Sequence, residues 1–249
     1  MNSFVNLSSI FFKMEIRNKQ AVIMSTVFPI LMMALMGTAG KDAAREGMSY
    51  MSYIFPGILG MAYGAIGLIA LPVMIASYRE RGIFKKIKVT PISTSKIMVS
   101  IFSTQLFIMA IQTVIILGIS VFIFNVQLNF NSIYTLLLIP LLLMGGLSLL
   151  AIGLIIGIYA NNAKNATTMG NLSNLVFIFL GGTFFPSDVW PKFLMPFVYI
   201  NPLNYIIEAI RKTLIFETQN LNTYLTELSV LTAIAVITLV FCVKVFKYE

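Results

Sequence analysis

The densest group of charged side chains in this sequence lies within residues 78–93, YRERGIFKKIKVTPIS. It consists of Arg79, Glu80, Arg81, Lys85, Lys86 and Lys88. The surrounding chain of 249 residues is 58% hydrophobic and only 10% charged. A concentrated charge of this kind binds an oppositely charged surface, which is either a partner protein or anionic lipid. The residues alone leave both interpretations open.

The spacing within this segment predicts a short amphipathic helix. The apolar residues that share one side of that helix are Ile83, Phe84 and Ile87. The basic residues Arg81, Lys85 and Lys88 recur at i, i+4 and i+7 on another side. Because the residue before a proline avoids the α region, Thr90-Pro91 should end the helix.

Four amide side chains inside apolar stretches are the next candidates for chemistry. Gln105 and Gln112 lie seven residues apart, and Asn171 and Asn174 lie three apart, so each pair shares a helix face. They either line a translocation path or form hydrogen bonds between membrane helices. We favour hydrogen bonding between helices and keep contact with cargo as the alternative.

Several classes of chemistry are absent from the sequence. There is no histidine, and the one cysteine, Cys242, lies in an apolar run, which argues against the usual zinc sites and against an internal disulfide. No charge falls near the middle of a predicted span, which disfavours an ion-coupled transporter. No phosphate-binding loop of the type G-x-x-x-x-G-K-[ST] occurs. We therefore expect a protein that is not itself an enzyme and binds no cofactor or metal, so that any ATP and magnesium would be bound by a separate subunit.

Apolar runs of bilayer-crossing length predict an all-α polytopic membrane protein that forms one domain over residues 1–249. The six predicted spans are residues 20–37, 53–77, 97–124, 133–159, 169–185 and 228–246. Residues 1–19 are predicted to form an interfacial helix in contact with membrane lipid. We expect an uncleaved first span and not a signal peptide, because the region before it is long and mixed in charge.

Residues 186–216 interrupt the pattern between spans 5 and 6. They are largely apolar but contain Pro191, Pro196 and Pro202, so no uninterrupted piece is long enough to cross a bilayer. We expect short helices that enter one face of the membrane and return.

The distribution of charge predicts the orientation. With both termini in the cytoplasm, the cytoplasmic segments hold 12 of the 17 basic residues and three of the nine acidic ones. The net charge of +8 is therefore explained by the positive-inside rule, and we expect no nucleic-acid partner.

The order of several motifs resembles the type-2 ABC exporter permeases along nearly the whole chain. These motifs are Glu80-Arg81-Gly82, Thr90-Pro91, Gly181-Gly182-Thr183-Phe184-Phe185-Pro186, Trp190-Pro191, Asn201-Pro202-Leu203, Tyr205 and the stretch from Glu208 to Arg211. The resemblance implies a pair of membrane subunits, each bound to one ATP-binding subunit, in a bacterial cell membrane.

The resemblance also assigns roles to residues. The coupling helix, which contacts the ATP-binding subunit, maps onto Arg79, Glu80, Arg81, Gly82, Ile83, Phe84, Lys85, Lys86 and Ile87, within a coupling segment of residues 78–92. Glu80 would be the acid that contacts the motor, with Arg79 and Arg81 as electrostatic anchors. Residues 186–216 would be external re-entrant helices that close the outer mouth. The candidate path or gate residues are Gln105, Gln112, Asn171, Asn174, Phe184, Phe185, Asn201 and Pro202.

The cargo is expected to be amphipathic or hydrophobic, because the chain is rich in phenylalanine and methionine. Within the family, the chain resembles exporters of amphipathic peptides such as peptide toxins or antimicrobial peptides. Two alternatives stay open. One is a permease for lipid-linked polysaccharide or for drug efflux. The other is a passive membrane anchor or sensor subunit that recruits a partner without transport.

Overall fold

The computed structural model describes residues 2–17, 23–39, 50–88, 93–130, 132–184 and 189–245, and in these ranges all regular secondary structure is helical. This confirms the predicted all-α class. The helices are α1 (Asn2–Arg17), α2 (Phe28–Ala39), α3 (Tyr50–Gly64), α4 (Leu71–Glu80), α5 (Ile83–Lys88), α6 (Thr94–Phe122), α7 (Ile133–Tyr159), α8 (Ala163–Leu180), α9 (Met195–Ile200), α10 (Pro202–Leu214) and α11 (Leu221–Val245). Two π-helical segments, Ile23–Val27 and Ala65–Ala70, precede α2 and α4.

Four helices in the described ranges are long and apolar enough to cross a membrane. They are Tyr50–Glu80, Lys96–Phe122, Ile133–Tyr159 and Leu221–Cys242, and they correspond to predicted spans 2, 3, 4 and 6. The apolar helix in predicted span 1, Ser25–Gly37, is shorter. Predicted span 5 corresponds to α8, whose first turn is polar. The chain is therefore a multi-pass helical membrane protein, and the count of six spans stays a prediction.

Capping residues set two of the boundaries. α7 begins at Ile133, as predicted, because the Ser132 hydroxyl accepts a hydrogen bond from the Tyr134 amide at 3.2 Å. α11 begins at Leu221, seven residues before the predicted start of span 6. There the Asn220 side-chain oxygen accepts from the Thr223 amide at 2.9 Å, so the helix starts in a polar stretch that hydropathy alone does not detect.

The continuous helix from α3 through α4 lies at the centre of the bundle. Residues 51–64 are all buried. A glycine stripe along it allows the close approach of neighbouring helices: Gly57 contacts Thr183, Gly60 contacts Ile207, Gly64 contacts Asn174 and Gly67 contacts Leu149. The stripe is therefore a packing surface between helices.

The π-helical segment Ala65–Ala70 lies directly before a proline. Pro72 has no N–H to donate to the Leu68 carbonyl, so regular α-helical bonding cannot continue through this turn. The Leu68 carbonyl instead approaches Gly170 of α8, and the neighbouring Gly67 carbonyl approaches Gly153 of α7. The irregular turn therefore packs directly against two other helices of the bundle.

The proline-rich segment forms short helices, as predicted, in the part that is described. α9 is a single short helix with Pro196 in its first turn, and Asn201 separates it from α10. α10 is strongly amphipathic, and its buried side includes Leu203, Ile207 and Ile210. Residues 185–188, which include Phe185 and Pro186, lie outside the described residues.

Candidate functional site

The predicted coupling segment is divided by a turn. α4 ends at Glu80, Arg81 and Gly82 form the turn, and α5 begins at Ile83. Gly82 has a φ of 64°, a left-handed conformation that glycine adopts without steric cost. The prediction that Arg81 lies within the amphipathic helix is therefore wrong, because the chain leaves the helix before Gly82. Thr90 and Pro91 lie outside the described residues, as do the side chains of Lys86 and Ile87.

Tyr78 joins the coupling segment to the N-terminal helix. Its ring lies 6.1 Å from the Phe11 ring of α1 in a stacked arrangement, measured between centroids. The Phe84 ring of α5 lies 6.2 Å from the Tyr78 ring, between centroids, in an edge-to-face arrangement. The Tyr78 hydroxyl also donates to the Met14 sulfur at 3.8 Å. The predicted interfacial helix and α5 thus share one aromatic contact at the end of α4.

The charged side chains of the segment fall into two groups. Glu80, Arg81 and Lys85 are exposed. Arg79 is half-buried and points into the bundle, where its Nη1 donates to the Ile158 carbonyl at 3.0 Å. Glu80 also has an internal contact, since its Oε1 accepts a hydrogen bond from the Ala163 amide at 3.2 Å. The predicted charge cluster therefore has an outward part and a part that holds neighbouring helices.

The two glutamines of α6 are buried and bond to neighbouring helices. Gln112 Nε2 donates to the hydroxyls of Ser25 at 2.9 Å and Thr26 at 2.8 Å. Gln105 Nε2 donates to the Met74 sulfur at 3.9 Å. Both contacts agree with hydrogen bonding between helices, the interpretation that the spacing favoured.

Glu15 of α1 is a buried carboxyl that sequence reasoning did not single out. Its side chain is 8% exposed although it lies on a predicted surface helix. Burial raises the pKa of Glu15 above its usual value, and a hydrogen bond with Gln105 acts in the opposite direction. α1 therefore presents an acid to the bundle as well as an apolar surface.

The two asparagines of α8 have different surroundings. Asn171 is exposed, whereas Asn174 is buried against Gly64. The exposed side of α8 also carries apolar side chains, among them Leu172 and Leu175. Asn171 is thus the member of this pair that is available to a partner or to cargo, and Asn174 is a packing residue.

The remaining path or gate candidates lie at the opposite end of α8. Phe184 is partly buried, and its ring lies 6.0 Å from that of Phe179. Asn201 is buried, accepts from the Leu203 amide at 3.0 Å and donates to the Phe177 carbonyl at 2.8 Å. It caps α10 and fixes it to α8, while Pro202 occupies the first position of α10.

Arg211 connects α10 to other helices of the bundle, although in the sequence it was noted only as part of a motif. Its side chain is 3% exposed and pairs with Glu208 at 2.7 Å. It also donates to the Gly182 carbonyl at 3.0 Å, and its guanidinium carbon lies 4.5 Å from the centroid of the Tyr53 ring. The i, i+3 spacing of Glu208 and Arg211 gives the ion pair, but no sequence signal gives the contacts with α3 and the end of α8.

The chain is similar in sequence to known membrane transport proteins. Residues 3–215 match the family described as ABC-2 type transporter. The chain is also 27% identical over 160 residues to a protein named probable multidrug ABC transporter permease YbhS, found in Escherichia coli K12 and in O157:H7. That alignment covers 64% of this chain and 42% of the relative, so the chain spans well under two thirds of that protein. With most of its length matched by the family model, the chain belongs to the ABC-2 type transporter family of membrane proteins.

Proposed function

We propose that this chain is the permease subunit of an ATP-driven exporter and that it works as a dimer with two ATP-binding subunits. Membership of the ABC-2 type transporter family is the observation that carries this proposal. The exposed side chains of Glu80, Arg81 and Lys85 beside α5 support a docking surface for the ATP-binding subunit. ATP and magnesium would be bound by that partner. Both termini would lie in the cytoplasm of a bacterial cell.

The exposed side of α8 supports pairing with a second permease copy. It places Asn171 among the exposed apolar residues Met169, Leu172, Leu175 and Val176. A polar amide on a lipid-facing helix costs free energy unless another polar group or water meets it. A second copy, or a path between two copies, would supply that contact. A homodimer is the simplest assembly of this kind.

The proposed cargo is an amphipathic peptide. The chain resembles the membrane subunit of the staphylococcal exporter of phenol-soluble modulins, which are amphipathic helical peptide toxins. The apolar last part of α8, which includes Phe177 and Phe179, suits such cargo better than a strongly charged molecule. Drug efflux is the second candidate, and the name of the Escherichia coli relative, probable multidrug ABC transporter permease, favours it.

The first experiment tests docking through exposed charges. The chain is co-purified with its ATP-binding subunit, and the Arg81→Glu and Lys85→Glu variants are compared with wild type. We expect both charge reversals to weaken the complex by about tenfold, since like charges then face each other. Lys192→Glu, an exposed reversal elsewhere, is the matched control and should leave the complex intact. A wild-type chain that forms no complex would favour the anchor or sensor alternative.

The second experiment addresses the cargo. ATP hydrolysis by the complex in proteoliposomes is measured while an amphipathic helical peptide or a hydrophobic organic cation is titrated. We expect the peptide to stimulate hydrolysis in a saturable manner. Stimulation by the cation alone would favour drug efflux, whereas a response to neither would direct the search to lipid-linked glycans.

A further inference from the structure

The contacts of Arg79 lead away from the proposed docking surface. Its guanidinium donates to the Ile158 carbonyl at 3.0 Å, to the Gly157 carbonyl at 3.4 Å and to the Ala160 carbonyl. These carbonyls belong to the last turn of α7 and to the residue that ends it. One side chain at the end of α4 thus binds the end of α7, about 80 residues further along the chain.

The guanidinium of Arg79 and the carbonyls at the end of α7 can form a rigid connection between α4 and α7. The last carbonyls of a helix have no amide donors in their own helix, and they carry the negative end of the helix dipole. A guanidinium satisfies several of them at once, because its donors are held in a rigid plane. A lysine ammonium carries the same charge on a single flexible nitrogen, so it cannot reproduce this planar arrangement.

Glu80 contacts the turn between α7 and α8 at the start of α8. Its Oε1 accepts from the Ala163 amide, which is the first residue of α8. Negative charge is favourable at a helix N-terminus for the same reason that positive charge is favourable at a C-terminus. Beneath this pair, Ala76, Ala160 and Ala166 pack together and bring the three helices close. Arg79 therefore binds the end of α7, and Glu80 binds the start of α8, so the two residues together hold the turn between these helices.

The same end of α4 is connected to α5. Only Arg81 and Gly82 separate Glu80 from Ile83, and the Phe84 ring packs edge-to-face with the Tyr78 ring. A displacement of α5 would therefore reach the end of α4 through the short turn and the Tyr78–Phe84 contact. The hydrogen bonds of Arg79 and Glu80 connect the end of α4 to α7 and α8.

We propose that Arg79 is a positioning residue that transmits movement of α5 to α7 and α8, with Glu80 as its second contact. This assignment rests on the proposed exporter function, and it gives Arg79 a role inside the permease in place of contact with the motor. Arg81 and Lys85 remain the side chains that face the ATP-binding subunit. The coupling segment thus contains both a docking surface and an internal connection.

The test measures movement of α8 in the assembled complex. The chain carries Cys242→Ala, which removes its only cysteine, and a single reporter cysteine replaces Lys164, Met169 or Leu172, which are exposed positions along α8. The rate of maleimide labelling of the permease is measured with and without ATP, magnesium and vanadate. The reporter with the largest nucleotide-induced change is then combined with Arg79→Gln.

We expect Arg79→Gln to keep the complex and its basal ATP hydrolysis but to reduce the nucleotide-induced change in labelling by about fivefold or more. Arg79→Lys, which keeps the charge, should give an intermediate change, and this partial rescue separates positioning from a general loss of folding. Should Arg79→Gln not fold, Arg79→Lys alone is compared with wild type. Lys192→Gln, an exposed change outside the coupling segment, is the control and should keep the full change in labelling.

Two results would overturn the assignment. A complex in which Arg79→Gln keeps the wild-type labelling change would remove Arg79 from transmission and leave the exporter proposal standing. A wild-type chain that forms no complex with the ATP-binding subunit would remove the exporter proposal, and this inference with it.

Discussion

Arg211 and Glu208 form a 2.7 Å ion pair in which the arginine side chain is almost fully buried, at 3% exposure. The same guanidinium donates to the Gly182 carbonyl and lies against the Tyr53 ring. One residue of α10 therefore fixes this helix to the start of α3 and to the end of α8. Asn201 fixes the other end of α10 to the Phe177 carbonyl. α10 is thus bound to the bundle at both ends.

We expect Arg211→Ala to destabilise the protein by about 1.5–3 kcal/mol, because it removes the ion pair with Glu208 and the buried hydrogen bond to the Gly182 carbonyl. Thermal unfolding of the detergent-solubilised protein measures the loss. Lys192→Ala is the control, since this lysine is exposed beside α9. Its loss should be at most about 1 kcal/mol. Equal losses in the two variants would contradict a special role for Arg211.

Gln112→Leu should lower stability by about 0.6–2 kcal/mol, because it removes the hydrogen bonds to Ser25 and Thr26 between membrane helices. Asn171→Leu should leave the stability of the isolated chain within about 0.5 kcal/mol, since this side chain is exposed. Thermal unfolding of both variants measures the difference. A larger loss for Asn171→Leu would reverse the assignment of the two amides.

Gly170→Ala should destabilise by about 1–3 kcal/mol, because the added methyl group would overlap the Leu68 carbonyl. A carbonyl held within the helical backbone cannot move aside as a flexible side chain would. Gly118→Ala is the matched control: an added methyl group there meets no atom within 4 Å. This control should stabilise α6 by about 0.5–1 kcal/mol. Unfolding that is unchanged in Gly170→Ala would contradict the close approach of α8 to the π-helical turn.

The buried Glu15 predicts a dependence of stability on pH. Its pKa is raised by burial, so the folded protein binds the Glu15 proton more tightly than the unfolded chain does. The stability contributed by the protonated form is complete below the usual glutamate pKa and is lost as pH rises through the raised pKa. Thermal unfolding between about pH 4 and pH 8 measures this loss.

We expect Glu15→Gln to remove this part of the pH dependence and to raise stability above the folded-state pKa of Glu15. Glu217→Gln is the control, because this carboxyl is exposed on a loop, and it should keep the wild-type pH profile. An unchanged profile in Glu15→Gln would show that the carboxyl is hydrated in the protein.

The predicted topology can be tested with cysteine reporters in a Cys242→Ser background. Lys192 is exposed beside α9, whereas Val198 within α9 is fully buried and therefore unsuitable as a reporter. We expect Lys192→Cys in intact cells to react with a membrane-impermeant maleimide, and Lys85→Cys to react only after the membrane is opened. The reverse pattern would overturn the proposed orientation of the termini.

The hydrophobic pattern predicted spans 2, 3, 4 and 6, because burial in lipid needs long apolar runs with their backbone bonds satisfied internally. α7 occupies the predicted residues 133–159 without change. The start of α11 was missed because Asn220 caps it in a polar stretch. The short helix after span 2 was also predicted, but its first residue depends on the left-handed Gly82.

The sequence by itself determined the membrane character, the helical class, the proline-broken segment and the position of the charge cluster, because each of these depends on properties of neighbouring residues. Only the tertiary structure decided which contacts Arg79, Arg211 and the amides make. Asn171 and Asn174 share a helix face by spacing, yet one is exposed and the other is buried against Gly64. Spacing fixes the angle between two side chains on a helix, but the rotation of that helix against partners distant in sequence is set by packing.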